Sequence, residues 1–182
     1  MNYRDYKNAR DAAWQILLDC GVDRLPVCTS MICRKLGIKL VEDEISQDGY
    51  STVIRGNPYI VVKKSLGIKR KRFTVAHEIG HILLGHVGKY ELVNREPSGA
   101  DNPIEREANI FASRLLAPAC VLWGCGVKTE EEISELCDIS QQAARIRAQR
   151  MDELYRRDRF LQSPLEQEVY RQFLPFIYSR SQ

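Results

Sequence analysis

Only three histidines occur in the chain, and two of them fall within His77-Glu78-Ile79-Gly80-His81. Residues four apart are offset by about 40° around an α-helix, so both imidazoles face one way and can grip a single metal ion. Glu78 sits beside the first histidine without coordinating. Its carboxylate can take a proton from metal-bound water and pass it to a leaving amine. The chemistry indicated is metal-dependent hydrolysis of a peptide bond. The plainer alternative is two helix histidines making ordinary polar contacts.

Two histidines do not complete a catalytic zinc site, which takes three protein ligands and keeps one position open. His86 is the remaining histidine. The pattern H-E-x-x-H-x-x-G-x-x-H would need glycine at 84 and histidine at 87, where this chain has Leu84 and Val87. On a continuing helix His86 lies about 180° from His77, unless a turn at Gly85 brings it back. It reads as a helix-end or cleft residue. Glu105, in Glu105-Arg-Glu-Ala-Asn109, is the better third ligand. Glu105 and Asn109 share a helix face, so one can bind metal while the other orients a ligand histidine. Two competing readings remain. Asn102-Pro103-Ile104-Glu105 also has the order of N-cap, Pro at N1 and Glu at N3, which would make Glu105 a capping carboxylate. Glu107 competes for the ligand role.

These residues need elements to hold them. The spacing predicts a helix from about 73 to 84 with Gly85 as its stop, a Pro- and Gly-containing loop, and a helix over 103–116. Upstream, a helix over 5–20 ends at Gly21, and a shorter one between Pro26 and Gly37 feeds a strand at 38–41. The runs YSTVIR and YIVVKK around Gly56-Asn57-Pro58 read as a β-hairpin. Downstream, Thr129 to Glu132 has capping-box spacing and opens a helix to about Cys137. An arginine-rich helix follows Ser140, and Ser163 to Glu166 caps a terminal helix bearing Leu165, Val169 and Phe173.

With 182 residues, 44% hydrophobic and 28% charged, the chain has the composition of a globular domain. No apolar run approaches the roughly 20 residues that span a bilayer, and residues 1–14 lack a signal-peptide core. The expectation is a soluble, cytoplasmic protein with no membrane partner. A net charge of +3 is too small to imply nucleic acid by itself. The six cysteines read as mostly buried thiols rather than disulfides. The pairs Cys28/Cys33 and Cys120/Cys125 sit in apolar surroundings, which disfavours a four-cysteine zinc site. Lys69-Arg-Lys-Arg72 reads as a solvated or salt-bridged lead-in to the metal helix.

RKRFTVAHEIGHILLGH followed by EREANIFASRLLAP resembles the ImmA/IrrE metallopeptidase family, with pattern RFT-x-AHE-x-GH and then an E-x-E-A-N-x-F-A-x-x-L-L-x-P helix. The resemblance covers about residues 8–150 and is densest between 70 and 118. It implies a zincin-like α+β domain, with a small antiparallel sheet packed on the HExxH helix and C-terminal helices that include a helix-turn-helix-like segment. It implies one Zn2+ per chain, held by His77, His81 and Glu105, with Asn109 supporting a ligand and Glu78 as general base. Several members relieve repression by cleaving a helix-turn-helix repressor encoded nearby in a mobile element, prophage or stress regulon. The expected partner is therefore a protein substrate of that kind.

Residues 1–125 are expected to form the metallopeptidase domain and 126–182 a helical C-terminal region. Candidates for contact with substrate or its oxyanion are Tyr50, Tyr59, His86 and Tyr90. The strand at 59–64 is expected to pair with an extended substrate. In the helix-turn-helix-like segment, Arg145, Arg147 and Arg150 could reach DNA, but acidic residues nearby favour packing or repressor docking. The alternative to proteolysis is a zinc-stabilised regulator that antagonises its repressor by binding, or contacts DNA, without cutting.

Overall fold

The computed structural model describes residues 3–87 and 102–180. Helices α1 (Tyr3–Asp19) and α2 (Thr29–Lys35) precede strands β1 (Lys39–Asp43), β2 (Gly49–Ile54) and β3 (Asn57–Lys63). Then come α3 (Ile68–Leu83), α4 (Pro103–Leu116), α5 (Ala119–Gly124), α6 (Glu130–Cys137), α7 (Gln141–Arg156) and α8 (Pro164–Arg180). The fold is α+β and zincin-like, a small sheet with the histidine helix α3 packed on it. Two compact units form, residues 1–12 with 28–112 and residues 13–27 with 113–182.

In the first unit, β2 and β3 pair antiparallel from Gly49 opposite Val62 to Ile54 opposite Asn57. The hairpin turn is therefore Arg55-Gly56, whose φ values of 50° and 78° match the twist of a two-residue hairpin. Asn57 and Pro58, expected in the turn, instead open β3. Pro58 is tolerated because β1 begins its pairing one residue later, at Tyr59, so the missing N–H falls outside that ladder.

β1 lies on the other side of β3 and runs parallel to it, giving the order β1-β3-β2. The sheet is therefore mixed, not antiparallel as expected. β1 and β2 run in opposite directions and β3 lies between them. This also corrects the assignment of 59–64 as the substrate-pairing strand. β3 has a neighbour on each side, so the edges among the described residues are β1 and β2.

Helix α3 starts at Ile68, several residues before the expected position, after Gly67 in extended conformation. The basic run thus forms the first turn, where positive charge opposes the helix dipole. Acidic partners offset this: Arg70 Nε donates to Asp48 Oδ2 at 2.6 Å and Lys71 Nζ to Glu42 Oε2 at 2.7 Å. Val75, Ala76 and Ile79 of α3 are buried, as are Ile60 and Val62 of β3. That apolar layer fixes which way the histidine face of α3 can point.

In the second unit, Thr129 and Glu132 form the capping box read from the sequence. Asp138 ends α6 with φ 49° and ψ 51°, the left-handed conformation usually left to glycine. Ser163 Oγ accepts from the Glu166 amide at the start of α8. A Cβ on Gly124 would meet Tyr170 and Ile177 at 2.7 and 2.8 Å, so glycine lets α5 and α8 pack closely. None of the six cysteines is in a disulfide; Cys20, Cys33, Cys120 and Cys137 are buried, Cys125 is half-buried and Cys28 is exposed. Among the described residues no helix is long and apolar enough to cross a membrane.

Candidate metal centre

The regular turns of α3 bring His77 and His81 together, with their Nε2 atoms 2.9 Å apart. The third donor comes from α4, and a glycine sets the approach. Gly80 lies under Phe111, and a Cβ there would stand 3.0–3.2 Å from the phenylalanine side chain. With hydrogen alone at that point, α4 can settle against α3.

Asn102 caps α4, its Oδ1 accepting from the Ile104 amide at 3.0 Å, and Pro103 occupies the first helical position. Capping is thus done by Asn102, which leaves the Glu105 carboxylate for other work. Glu105 Oε2 lies 3.2 Å from His77 Nε2, and its Oε1 lies 3.4 Å from His81 Nε2.

His77, His81 and Glu105 form the one group of metal-type donors that converges among the described residues. At zinc–ligand bonds of about 2.0–2.2 Å, tetrahedral geometry sets donors about 3.3–3.6 Å apart. Of the distances of 2.9, 3.2 and 3.4 Å, the last falls in that range and the others lie within about 0.4 Å of it. The outer nitrogen of His77, Nδ1, lies 3.1 Å from Asn109 Oδ1. A carbonyl oxygen accepts, so Nδ1 carries the proton and Nε2 offers its lone pair inward. The donor set fits a divalent metal.

The electrostatics agree. Burial pulls the His77 imidazole down, but the hydrogen-bonded Glu105 and the nearby charge of Glu78 outweigh it and raise His77 above its ordinary value. Hydrogen bonds from His77 and His81 hold the Glu105 carboxyl far below the usual carboxylate range. Positive charge is favourable where the three donors meet, and a divalent cation satisfies all of them at once.

Glu78 points to the sheet side and is buried. Ser51 Oγ of β2 donates to Glu78 Oε2 at 2.8 Å. Sequence reasoning missed Ser51, since nothing in YSTVIR singles it out. Pairing alone reveals it, because Ser51 sits opposite the buried Ile60 and so faces α3.

His86 is brought to the site by a turn, as Gly85 allowed. Gly85 takes φ 71°, the His86 amide donates to His81 O at 2.9 Å, and the Gly85 amide donates to Ile82 O at 3.2 Å. This is a Schellman ending, and it folds His86 back along α3. His86 Nδ1 lies 3.1 Å from His81 Nδ1, and its Nε2 lies 3.2 Å from Glu107 Oε2. Glu107 is therefore engaged with His86 and is not among the converging donors.

Tyr59 is not brought to the site. It pairs with Thr52, on the opposite pleat from Ser51, and its hydroxyl accepts from Lys39 Nζ at 3.0 Å. The same alternation turns Tyr50 away. Tyr90 lies outside the described residues.

The model of the IrrE N-terminal-like domain (Peptidase_M78) matches residues 33–149. The chain belongs to the ImmA/IrrE family. This is a metallopeptidase-type family, and the match spans every residue of the centre, from Ser51 through Asn109. A comparison with curated proteins finds no match.

Proposed function

We propose that this protein is a zinc-dependent endopeptidase that cuts a helix-turn-helix transcriptional repressor in the cytoplasm. The observation that carries the reading is the convergence of His77, His81 and Glu105 beside the buried carboxylate of Glu78. When bound, zinc supplies Lewis acidity, which lowers the pKa of a coordinated water and polarises a carbonyl. Glu78 takes the proton of the attacking water and returns it to the leaving amine. Ser51 holds Oε2 of Glu78, which fixes the carboxylate plane and leaves Oε1 to handle the proton. Asn109 fixes the tautomer of His77. β2 carries Ser51 at an edge of the sheet, which supports docking of an extended substrate segment along that strand.

The family resemblance supports the substrate class. Arg145, Arg147 and Arg150 of α7 support docking over DNA contact. Arg145 is paired with Glu130 at 3.0 Å and Arg150 with Glu153. Arg147 is 1% exposed and donates to Ala117 O at 2.8 Å, so it serves the core of its unit.

The test is incubation of zinc-loaded protein with helix-turn-helix repressors from the same genome, followed by mass spectrometry of the products. One defined cut is expected from the wild type and none from Glu78→Gln at equal zinc content. Equal cutting by Glu78→Gln would overturn the mechanism. Relief of repression without fragments would favour the binding-only regulator instead.

A further inference from the structure

The two histidines of the centre are braced differently. Asn109 meets the outer nitrogen of His77 directly, whereas the outer nitrogen of His81 meets another imidazole, which in turn meets a carboxylate. We infer that His86 and Glu107 form a proton-ordered positioning chain that orients His81 for metal binding. The inference rests on the metal reading of the centre.

The order of protons follows from the donor geometry. With His81 Nε2 given to a metal, its single remaining proton sits on Nδ1. That atom lies 3.1 Å from His86 Nδ1, so His86 must accept there and Nδ1 is bare. A neutral His86 then carries its proton on Nε2, 3.2 Å from the Glu107 carboxylate, which can only accept. Every nitrogen in the chain has one assignment, and the bonds run in one direction, from His81 through His86 to Glu107. The carboxylate charge reaches His81 through one imidazole, making the inward lone pair a stronger donor.

The backbone serves the same end. The Schellman turn at Gly85 is what places His86 behind His81, and α4 delivers Glu107 two residues after Glu105. The chain thus ties the end of the ligand helix to the helix that carries the third ligand. His86 also has a use that a helix continuing past Gly85 would deny it.

The experiment measures zinc affinity by competition with a chromogenic chelator, with far-ultraviolet circular dichroism as the folding control. His86→Phe removes the acceptor and keeps the bulk, and is expected to weaken zinc binding about 10–100-fold. His86→Asn offers Oδ1 where Nδ1 stood and is expected to stay within a few-fold of wild type. Glu107→Gln keeps an acceptor and Glu107→Leu does not, so the first should bind zinc more tightly than the second. Long-range proton–nitrogen spectra of the histidines in the zinc-loaded protein should show the Nδ1–H tautomer for His81 and the Nε2–H tautomer for His86. A proton on His86 Nδ1, or wild-type zinc affinity in His86→Phe, would overturn the proposal. Should His86→Phe fail to fold, the Glu107 pair and the tautomer spectrum decide it. Loss of zinc from the wild type itself would instead overturn the metal reading beneath it.

Discussion

Replacing Gly80 by alanine tests whether the close crossing of α3 and α4 builds the centre. The added Cβ would stand 3.0, 3.1 and 3.2 Å from Cδ1, Cγ and Cβ of Phe111. Comfortable carbon contacts lie at about 3.5–4.0 Å, so something must move by about 0.5 Å. Rotating the ring does not relieve the clash with Phe111 Cβ, and Phe111 is fully buried. The α4 backbone must therefore shift. Alanine gains about 1 kcal/mol in helix propensity, against about 1–3 kcal/mol for overpacking. The net expectation is a loss of about 1 kcal/mol in urea denaturation of the metal-free protein. Zinc affinity should fall further, by more than about tenfold, because Glu105 and Asn109 ride on α4 and metal bonds tolerate only about 0.2 Å. Phe111→Ala should cost less stability in the Gly80→Ala background than in the wild type, by a coupling of about 0.5–3 kcal/mol. Alanine at 80 that stabilises by the propensity gain and binds zinc as before would refute the reasoning.

Other outcomes follow from the same geometry. Ser51→Ala removes a hydrogen bond to a charged carboxylate worth about 1.5–3 kcal/mol, so kcat for repressor cleavage should drop about 10–100-fold with zinc content unchanged; an unchanged kcat would remove Ser51 from the account. Asn109→Ala should weaken zinc binding about 10–100-fold, and Asn109→Asp, which keeps the acceptor, should restore most of it; equal losses would count against the orienting role. Zinc affinity should also fall with acidity. The raised His77 takes up a proton as pH falls through a value above 6.5, whereas Glu105 stays ionised well below the ordinary carboxylate range. The affinity should therefore drop about tenfold per pH unit for each competing histidine proton, with the decline beginning above pH 6.5; a flat profile down to pH 5 would contradict the assigned donors.

The motif residues were legible because their geometry is local. Helical spacing alone pairs His77 with His81 and Glu105 with Asn109, and the caps at Thr129 and Ser163 depend on three or four consecutive residues. What could not be read depends on partners distant in the chain. Ser51 matters only because β2 pairs with β3 in a register that turns it toward α3, and the same register carries Tyr59 and Tyr50 to the other face. The parallel pairing of β1 with β3 rests on residues 20 positions apart, so neither the mixed sheet nor the central place of β3 was visible in the hairpin pattern. Helix α3 began early because Asp48 and Glu42, on other elements, neutralise a basic first turn that local rules disfavour. His86 lay between these cases. Gly85 announced the turn, but only the arrival of α4 with Glu107 gave the returning imidazole its second partner.

The most direct measurement is metal content by mass spectrometry under native conditions, on the wild type beside Glu105→Ala and Glu107→Ala. One zinc per chain in the wild type, retained by Glu107→Ala and lost from Glu105→Ala, is the predicted result. Zinc lost from Glu107→Ala but kept by Glu105→Ala, or absent from the wild type at any loading, would contradict the three-donor centre on which the account stands.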